Sequence, residues 1–255
     1  MKTDWLQRAE LLVKPEGIER LKKANVLVIG LGGVGSFAAE FLTRSGIGKM
    51  TIVDGDVVDV TNLNRQLPAL QSTIGRTKVE VVAERILDIN PEIQLTKINE
   101  FLSPERMEEI LTLDRFDYVL DCIDSVSPKL SLIIACKKRK IKIVSVMGAG
   151  GKMDPAKVLV RDISKTHNCF LAKQIRKRLK KENINKGFRC VFSSEIQDET
   201  SLKLTDGDFY KKSFYGTISY MPALFGLHAA AEVIRYLLKH SDETFDEIID
   251  DEQQD

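Results

Sequence analysis

The sequence predicts an α/β fold, a doubly wound and mostly parallel sheet that continues into a C-terminal α+β extension. Two observations predict the sheet and a third predicts the extension. From Leu21 to Val146 short β-branched runs alternate with segments of helical periodicity, the signature of stacked βαβ units. The first of these runs leads directly into a glycine array that turns strand into helix, as in Rossmann-like domains. After Met147 the alternation is lost, and a glycine cluster at 148–151 precedes isolated extended runs and one long apolar helix.

Each element has a local reason. Asn25–Ile29 (NVLVI) is the unbroken apolar run of a strand covered on both faces. Ser36–Ser45 reads as a helix and Met50–Val53 as the second strand. Thr77–Ile89 places Val79, Val82, Ala83, Ile86 and Leu87 on one helical face, and Asn90-Pro91 ends it because the residue before proline is pushed out of the helical region. Ile93–Ile98 is a third strand, Pro104–Leu111 a helix and Tyr118–Asp121 a fourth strand. Pro128–Lys140 is a helix with proline in its first turn, where no N–H is missed, and Ile141–Val146 is a fifth strand. Further on, Val158–Asp162 and Arg189–Glu195 read as extended, Leu171–Glu182 as a basic helix and Pro222–Lys239 as an amphipathic closing helix.

With 255 residues, 43% apolar and 29% charged, the composition is that of a globular protein, and it excludes disordered, collagenous and disulfide-framework classes. No run of about 18 apolar residues is present, so no membrane span is expected. Met1-Lys2-Thr3-Asp4-Trp5 lacks the apolar core of a signal peptide, and a cytoplasmic location is expected. The four cysteines, Cys122, Cys136, Cys169 and Cys190, form no C-x-x-C pair and read as reduced, mostly buried thiols rather than zinc ligands or disulfides. A formal charge of +1 conceals a segregation: residues 241–255 hold eight acids and no Lys or Arg, which leaves 38 basic against 29 acidic residues in the rest. Residues 171–190 alone carry eight basic side chains against the lone Glu182, a solvated face or a surface for nucleic-acid phosphates.

The glycine array places Gly30, Gly32, Gly33 and Gly35 between the first strand and the first Rossmann helix, where backbone N–H groups and the helix dipole favour a phosphate. Asp54 closes the second strand 24 residues beyond Gly30, at the place of a ribose-binding acid. Those features alone suit NAD, FAD or ATP. A dehydrogenase needs a general acid or base near its hydride acceptor, and His167, His228 and His240 lie outside this half and form no cluster. From Asp54 onward the chain reads DGDVVDVTNLNRQ, with Asn62 and Arg65 in one loop, then Lys78 in the first turn of a helix and Asp124 after the fourth strand. Two cations and an acid beside a glycine loop suit a triphosphate, with Arg65 and Lys78 countering charge at phosphorus and Asp124 holding Mg²⁺.

GLGGVGS with Asp54, NLNRQ, Lys78 and the C-x-D element ending in Asp124 together resemble the nucleotide-binding domain of the ubiquitin-activating-enzyme superfamily, which includes the adenylating proteins of molybdopterin and thiamine synthesis. The resemblance implies MgATP as cofactor and AMP transfer to a carboxylate. Asp54 would hold the ribose, Asn62, Arg65 and Lys78 the phosphates, and Asp124 the metal. Arg8, in QRAELL, looks like the superfamily's N-terminal arginine that reaches the partner subunit's ATP, which implies a homodimer.

In the second half GAGGKMDP, DISKT with LAKQIRKRLKK, and RCVFSSE are similar to the tRNA threonylcarbamoyladenosine dehydratase branch. The branch pattern has Asp-Pro-Leu where this chain has Asn168-Cys169-Phe170, and a late cysteine where it has Tyr215-Gly216-Thr217. The branch implies ATP-dependent cyclisation of threonylcarbamoyladenosine in tRNA. It leaves a monovalent cation and sulfur-transfer protein partners open. Other readings are adenylation of the C-terminal glycine of a small sulfur-carrier or ubiquitin-like protein, an NAD-dependent oxidoreductase and a non-catalytic nucleotide sensor. The expected organisation is a helical segment at 1–24, an ATP-binding domain at 25–147, a substrate and dimer extension at 148–240 and a disordered acidic tail at 241–255.

Overall fold

The computed structural model describes residues 5–204 and 213–239; His240 and the acidic 241–255 lie outside the described residues. One seven-stranded sheet contains β1 (Asn25–Ile29), β2 (Lys49–Val53), β3 (Gln94–Ile98), β4 (Tyr118–Asp121), β5 (Ile143–Val146), β6 (Val158–Asp162) and β7 (Arg189–Ser193) in the order β3-β2-β1-β4-β5-β7-β6. All pairings are parallel except β6 with β7. The helices are α1 (Gln7–Lys23), α2 (Gly35–Arg44), α3 (Lys78–Ile89), α4 (Pro104–Leu113), α5 (Val126–Lys138), α6 (Phe170–Leu179) and α7 (Tyr220–Leu238).

Alternation along β1 sends Val26 and Val28 to one face and Leu27 and Ile29 to the other. The first face packs with Ala38, Leu42, Val79, Val82, Phe225 and Ala229 of α2, α3 and α7. The second packs with Met107, Ile110, Leu132, Ile133, Ala172 and Ile175 of α4, α5 and α6. Burial on both faces is why β1 contains no polar alternation.

The five Rossmann strands and the helices between them lie within two residues of their expected positions. The differences have local causes. The fourth Rossmann helix runs Val126–Lys138 instead of 128–140, because Lys140 takes a left-handed φ of 58° that turns the chain into β5. The basic helix stops at Leu179 and tightens into a 3₁₀ turn, Lys180–Glu182, before a left-handed Asn183. Helix α1 is broken at Lys14, φ 66°, the residue before Pro15. A short hairpin of β8 (Leu202–Leu204) and β9 (Ser213–Tyr215) has no counterpart among the elements expected from sequence. Strand β7 inserts between β5 and β6, so the sheet continues without interruption past residue 148.

Candidate nucleotide site

Strand order reverses between β1 and β4, and the loops at the carboxyl ends of the strands there form a crevice. The glycine loop is its floor. Gly30 has φ 90°, and its N–H donates to the Val53 carbonyl at 2.8 Å. A Cβ at Gly35 would sit 1.7 Å from the Gly30 oxygen, so no side chain fits there. Gly33 is pressed against the Arg65 carbonyl and Pro222 in the same way, with a Cβ at 2.9 Å from each. Gly32 differs: a Cβ would meet nothing nearer than Gln66 at 3.8 Å, so the open backbone there is available to a ligand rather than required by the fold.

Asp54 accepts the Leu31 N–H at 2.6 Å and the Asp56 N–H at 2.8 Å, which fastens the end of β2 to the glycine loop. Burial raises its pKa, and the charge of Lys78 opposes that rise. Lys78, the first residue of α3, is 5% exposed. At this helix start the Lys78 N–H donates to the Asp56 carbonyl at 3.0 Å and the Glu80 N–H to Thr77 Oγ1 at 3.4 Å, and the helix dipole favours an anion there. Asp56 Oδ2 pairs with the Lys78 ammonium at 2.8 Å from a half-exposed side chain, and the buried Asp54 carboxylate lies close enough to feel its charge.

The loop before α3 is held by its own polar side chains. Asp59 accepts the Thr61 N–H at 2.8 Å, and buried Asn62 accepts the Asp59 N–H at 3.2 Å. Arg65 donates through Nη1 to the Thr61 carbonyl at 2.8 Å and to Asn64 Oδ1 at 2.9 Å. Burial lowers its pKa from the ordinary arginine value, and the charge of Asp124 raises it, so these two loops face one another. Asp124 is exposed and accepts from Ser125 Oγ at 3.3 Å. Asn64 Nδ2 donates to the Thr217 carbonyl at 2.9 Å, joining this loop to the second half. Gln66 Oε1 is buried and has no hydrogen-bond partner.

The profile of the ThiF family matches residues 6–249, nearly the whole chain. The chain belongs to the ThiF family. Among relatives of this ThiF-family chain, the tRNA threonylcarbamoyladenosine dehydratase of Bacillus subtilis is 42% identical over 239 residues, covering 91% of this chain and 94% of the relative. The Escherichia coli protein of the same name is 43% identical over 201 residues, 75% of each chain. The crystal structure of E. coli tRNA N6-threonylcarbamoyladenosine dehydratase in complex with ATP superposes with a TM-score of 0.83 at 36% identity, over 93% of this chain and 96% of that one. Its complex with AMP matches equally well.

Within this ThiF-family chain, Asp54, Asn62, Arg65, Lys78 and Asp124 converge on the crevice and Arg8 does not. Arg8 is exposed on α1, which packs at the opposite end of the sheet: Leu6 abuts Gly46, and the Gly48 N–H donates to the Leu21 carbonyl at 3.1 Å, both just before β2 begins. Leu11 and Leu12 on the same helix are 73% and 81% exposed.

Two acids and a lysine join the site without having been singled out by sequence. The alternating acids of DGD were the available signal for Asp56. Nothing in the sequence distinguishes Asp121 and Lys129 as a wholly buried pair, 2.8 Å apart, with Lys129 also donating to Ser145 Oγ at 3.2 Å and the Val146 carbonyl at 2.8 Å. Asp121 Oδ1 accepts the Ile123 N–H at 3.1 Å and thereby shapes the turn that carries Asp124.

The cysteines are all free: Cys136, Cys169 and Cys190 are buried and Cys122 partly so. Burial pushes the Cys190 thiol well up, which disfavours a thiolate there. His167 is exposed and stacks edge-on against Phe192 at 5.4 Å. Among the described residues no three His, Cys, Asp or Glu side chains group as a metal site, and no helix is long and apolar enough to cross a membrane. A divalent ion would therefore use Asp124 with ligand phosphates and water, a donor set that fits Mg²⁺.

Proposed function

We propose that this ThiF-family protein is an ATP-dependent tRNA threonylcarbamoyladenosine dehydratase. The observation that carries the reading is a pair of cations above a glycine loop, Arg65 and Lys78, with Lys78 hydrogen-bonded to the half-exposed Asp56. ATP phosphates supply the negative charge that this end of α3 favours. Asp54, Asn62 and the open backbone at Gly32 take the nucleoside and phosphates.

A carboxylate oxygen of the threonylcarbamoyl group attacks the α-phosphorus, and pyrophosphate leaves. Arg65 and Lys78 counter the charge that grows on the phosphoryl oxygens. In the second step the side chain closes on the activated carbonyl and AMP departs with the carboxylate oxygen, so the net loss is water. Asp124 holds Mg²⁺, which neutralises the polyphosphate when bound. Residues 148–240 receive the substrate, and the chain works as a homodimer in which Arg8 of one subunit serves the other's site. Its position at the far end of its own sheet, flanked by exposed Leu11 and Leu12, supports that arrangement. The same reading makes the protein cytoplasmic.

The test is AMP release and nucleoside mass spectrometry with tRNA carrying threonylcarbamoyladenosine. Cyclic nucleoside and AMP in equal amounts are expected. Pyrophosphate exchange that depends on a small carrier protein and not on tRNA would overturn the reading.

A further inference from the structure

A cationic surface lies at the end of the sheet away from the crevice. Helix α5 starts beside Asp124 and runs 13 residues, about 20 Å at the helical rise, to Lys138. There it meets the turn after α6: Lys137 Nζ donates to the Gly187 carbonyl at 2.8 Å and fixes the 183–188 loop against the end of α5. Ile141 and Ile184 pack beneath into the same core. Above them stand Lys138, Lys140, Lys180, Lys181 and Lys186, all exposed, and among the described residues none of the five is in an ion pair.

The acids nearby do not balance them. Glu108 is paired with Arg139, which leaves Glu182 and Asp162, the latter turned to the Gly187 and Ser164 N–H groups, two acids against five lysines. Cations are favoured at helix C-termini, and α5 and α6 both end here. That preference acts within the last turn and accounts for Lys137, Lys138 and Arg176–Arg178. It does not account for Lys140, Lys181 and Lys186 beyond the helix ends, whose mutual repulsion costs stability unless a polyanion relieves it.

We infer that Lys138, Lys140, Lys180, Lys181 and Lys186 form a docking surface for the phosphate backbone of the tRNA body, separate from the adenylation site. The inference rests on the dehydratase reading and adds a second contact to it. A base in the crevice and a helical stem across this end would engage one RNA at two places, the first specific and the second a shape and phosphate contact without sequence preference.

The test replaces the five lysines with Gln in the full-length protein, beside a second variant with five Arg. With the Gln set, tRNA affinity at physiological salt is expected to fall at least tenfold. The salt slope should lose several units, since each phosphate contact contributes about 0.9 in duplex nucleic acid. KM for tRNA should rise at unchanged kcat, ATP binding should stay as in the wild type, and the Arg set should retain both affinity and slope. Equal affinity and slope in the Gln set and the wild type would overturn the proposal. It would also fall if the Gln set lost binding to phosphatidylserine vesicles, or changed its sedimentation, while tRNA affinity held. If the wild type makes no cyclic nucleoside yet binds folded RNA through these lysines, the dehydratase reading fails and the surface stands.

Discussion

Two buried lysines sit at the same end of the sheet and have opposite surroundings. Lys129 is wholly enclosed and all three of its N–H donors are used, by Asp121, Ser145 and the Val146 carbonyl. Lys78 is nearly as buried, yet among the described residues its ammonium donates one hydrogen bond, to Asp56, whose carboxylate is half in water. A buried ammonium with every donor satisfied belongs to the architecture. One placed at a helix start with donors to spare has room for an anion. Lys129 therefore maintains the turn before Asp124, and Lys78 is the lysine that the proposed function assigns to the phosphates.

Substitution separates the two most sharply. Lys129→Met strands the Asp121 charge in the core and is expected to cost about 3–5 kcal/mol, read as a large drop in the urea midpoint. Asp121→Leu combined with Lys129→Met should recover much of that loss, because two matched apolar groups replace a pair rather than break one. Lys78→Met should cost clearly less stability than Lys129→Met, since Asp56 is free to be hydrated and Asp54 keeps the Leu31 and Asp56 N–H groups. It should lower the adenylation rate about 10²–10³-fold. A melt of Lys78→Met as damaged as that of Lys129→Met would erase the distinction.

Arg65→Ala and Asp124→Ala are expected to slow adenylation by a similar factor of about 10²–10³ with unchanged melting. Arg8→Ala should lower activity too, and mixing it with Lys78→Met chains should restore one working site per dimer. Complementation failure would place Arg8 outside the site.

The smallest effect concerns the thiols. Burial first, and the charge of Asp121 second, push the Cys122 thiol up to about 12. The folded chain thus holds that proton more tightly than the unfolded one. Below the ordinary thiol value of 9.0 both states are protonated and nothing is lost; stability declines as pH rises from there toward about 12. Iodoacetamide at a pH of about 8 should label the unfolded chain while leaving folded Cys122 essentially unmodified, and rapid labelling of the folded protein would contradict the burial.

The nucleotide half was legible because its signals are local. A fully apolar β1, the glycine array and Asn90-Pro91 each constrain the backbone within a few residues. The convergence of Asp54, Arg65, Lys78 and Asp124 came from a general property of doubly wound sheets. Features that depend on distant partners were not legible. The partners of Lys129 on α5 are Asp121 and Ser145, which lie in two other elements, the strands β4 and β5. The place of β7 between β5 and β6 reverses chain order, and no local pattern encodes it. The far-end lysines come from two segments about 40 residues apart that look like ordinary helix ends until Lys137 ties them together at Gly187.

The insertion of β7 bears on how such a protein moves. Hydrogen-bonded to β5 on one side and β6 on the other, it welds the strands before and after residue 148 into a single plate, and Asn64 rivets a loop of the first part to Thr217 of the second. A clamshell turning about a linker is ruled out by that construction. Any rearrangement on ligand binding is then expected to be small and carried by loops at the rim of a fixed platform, so that the platform's shape is set when the sheet folds rather than at each turnover.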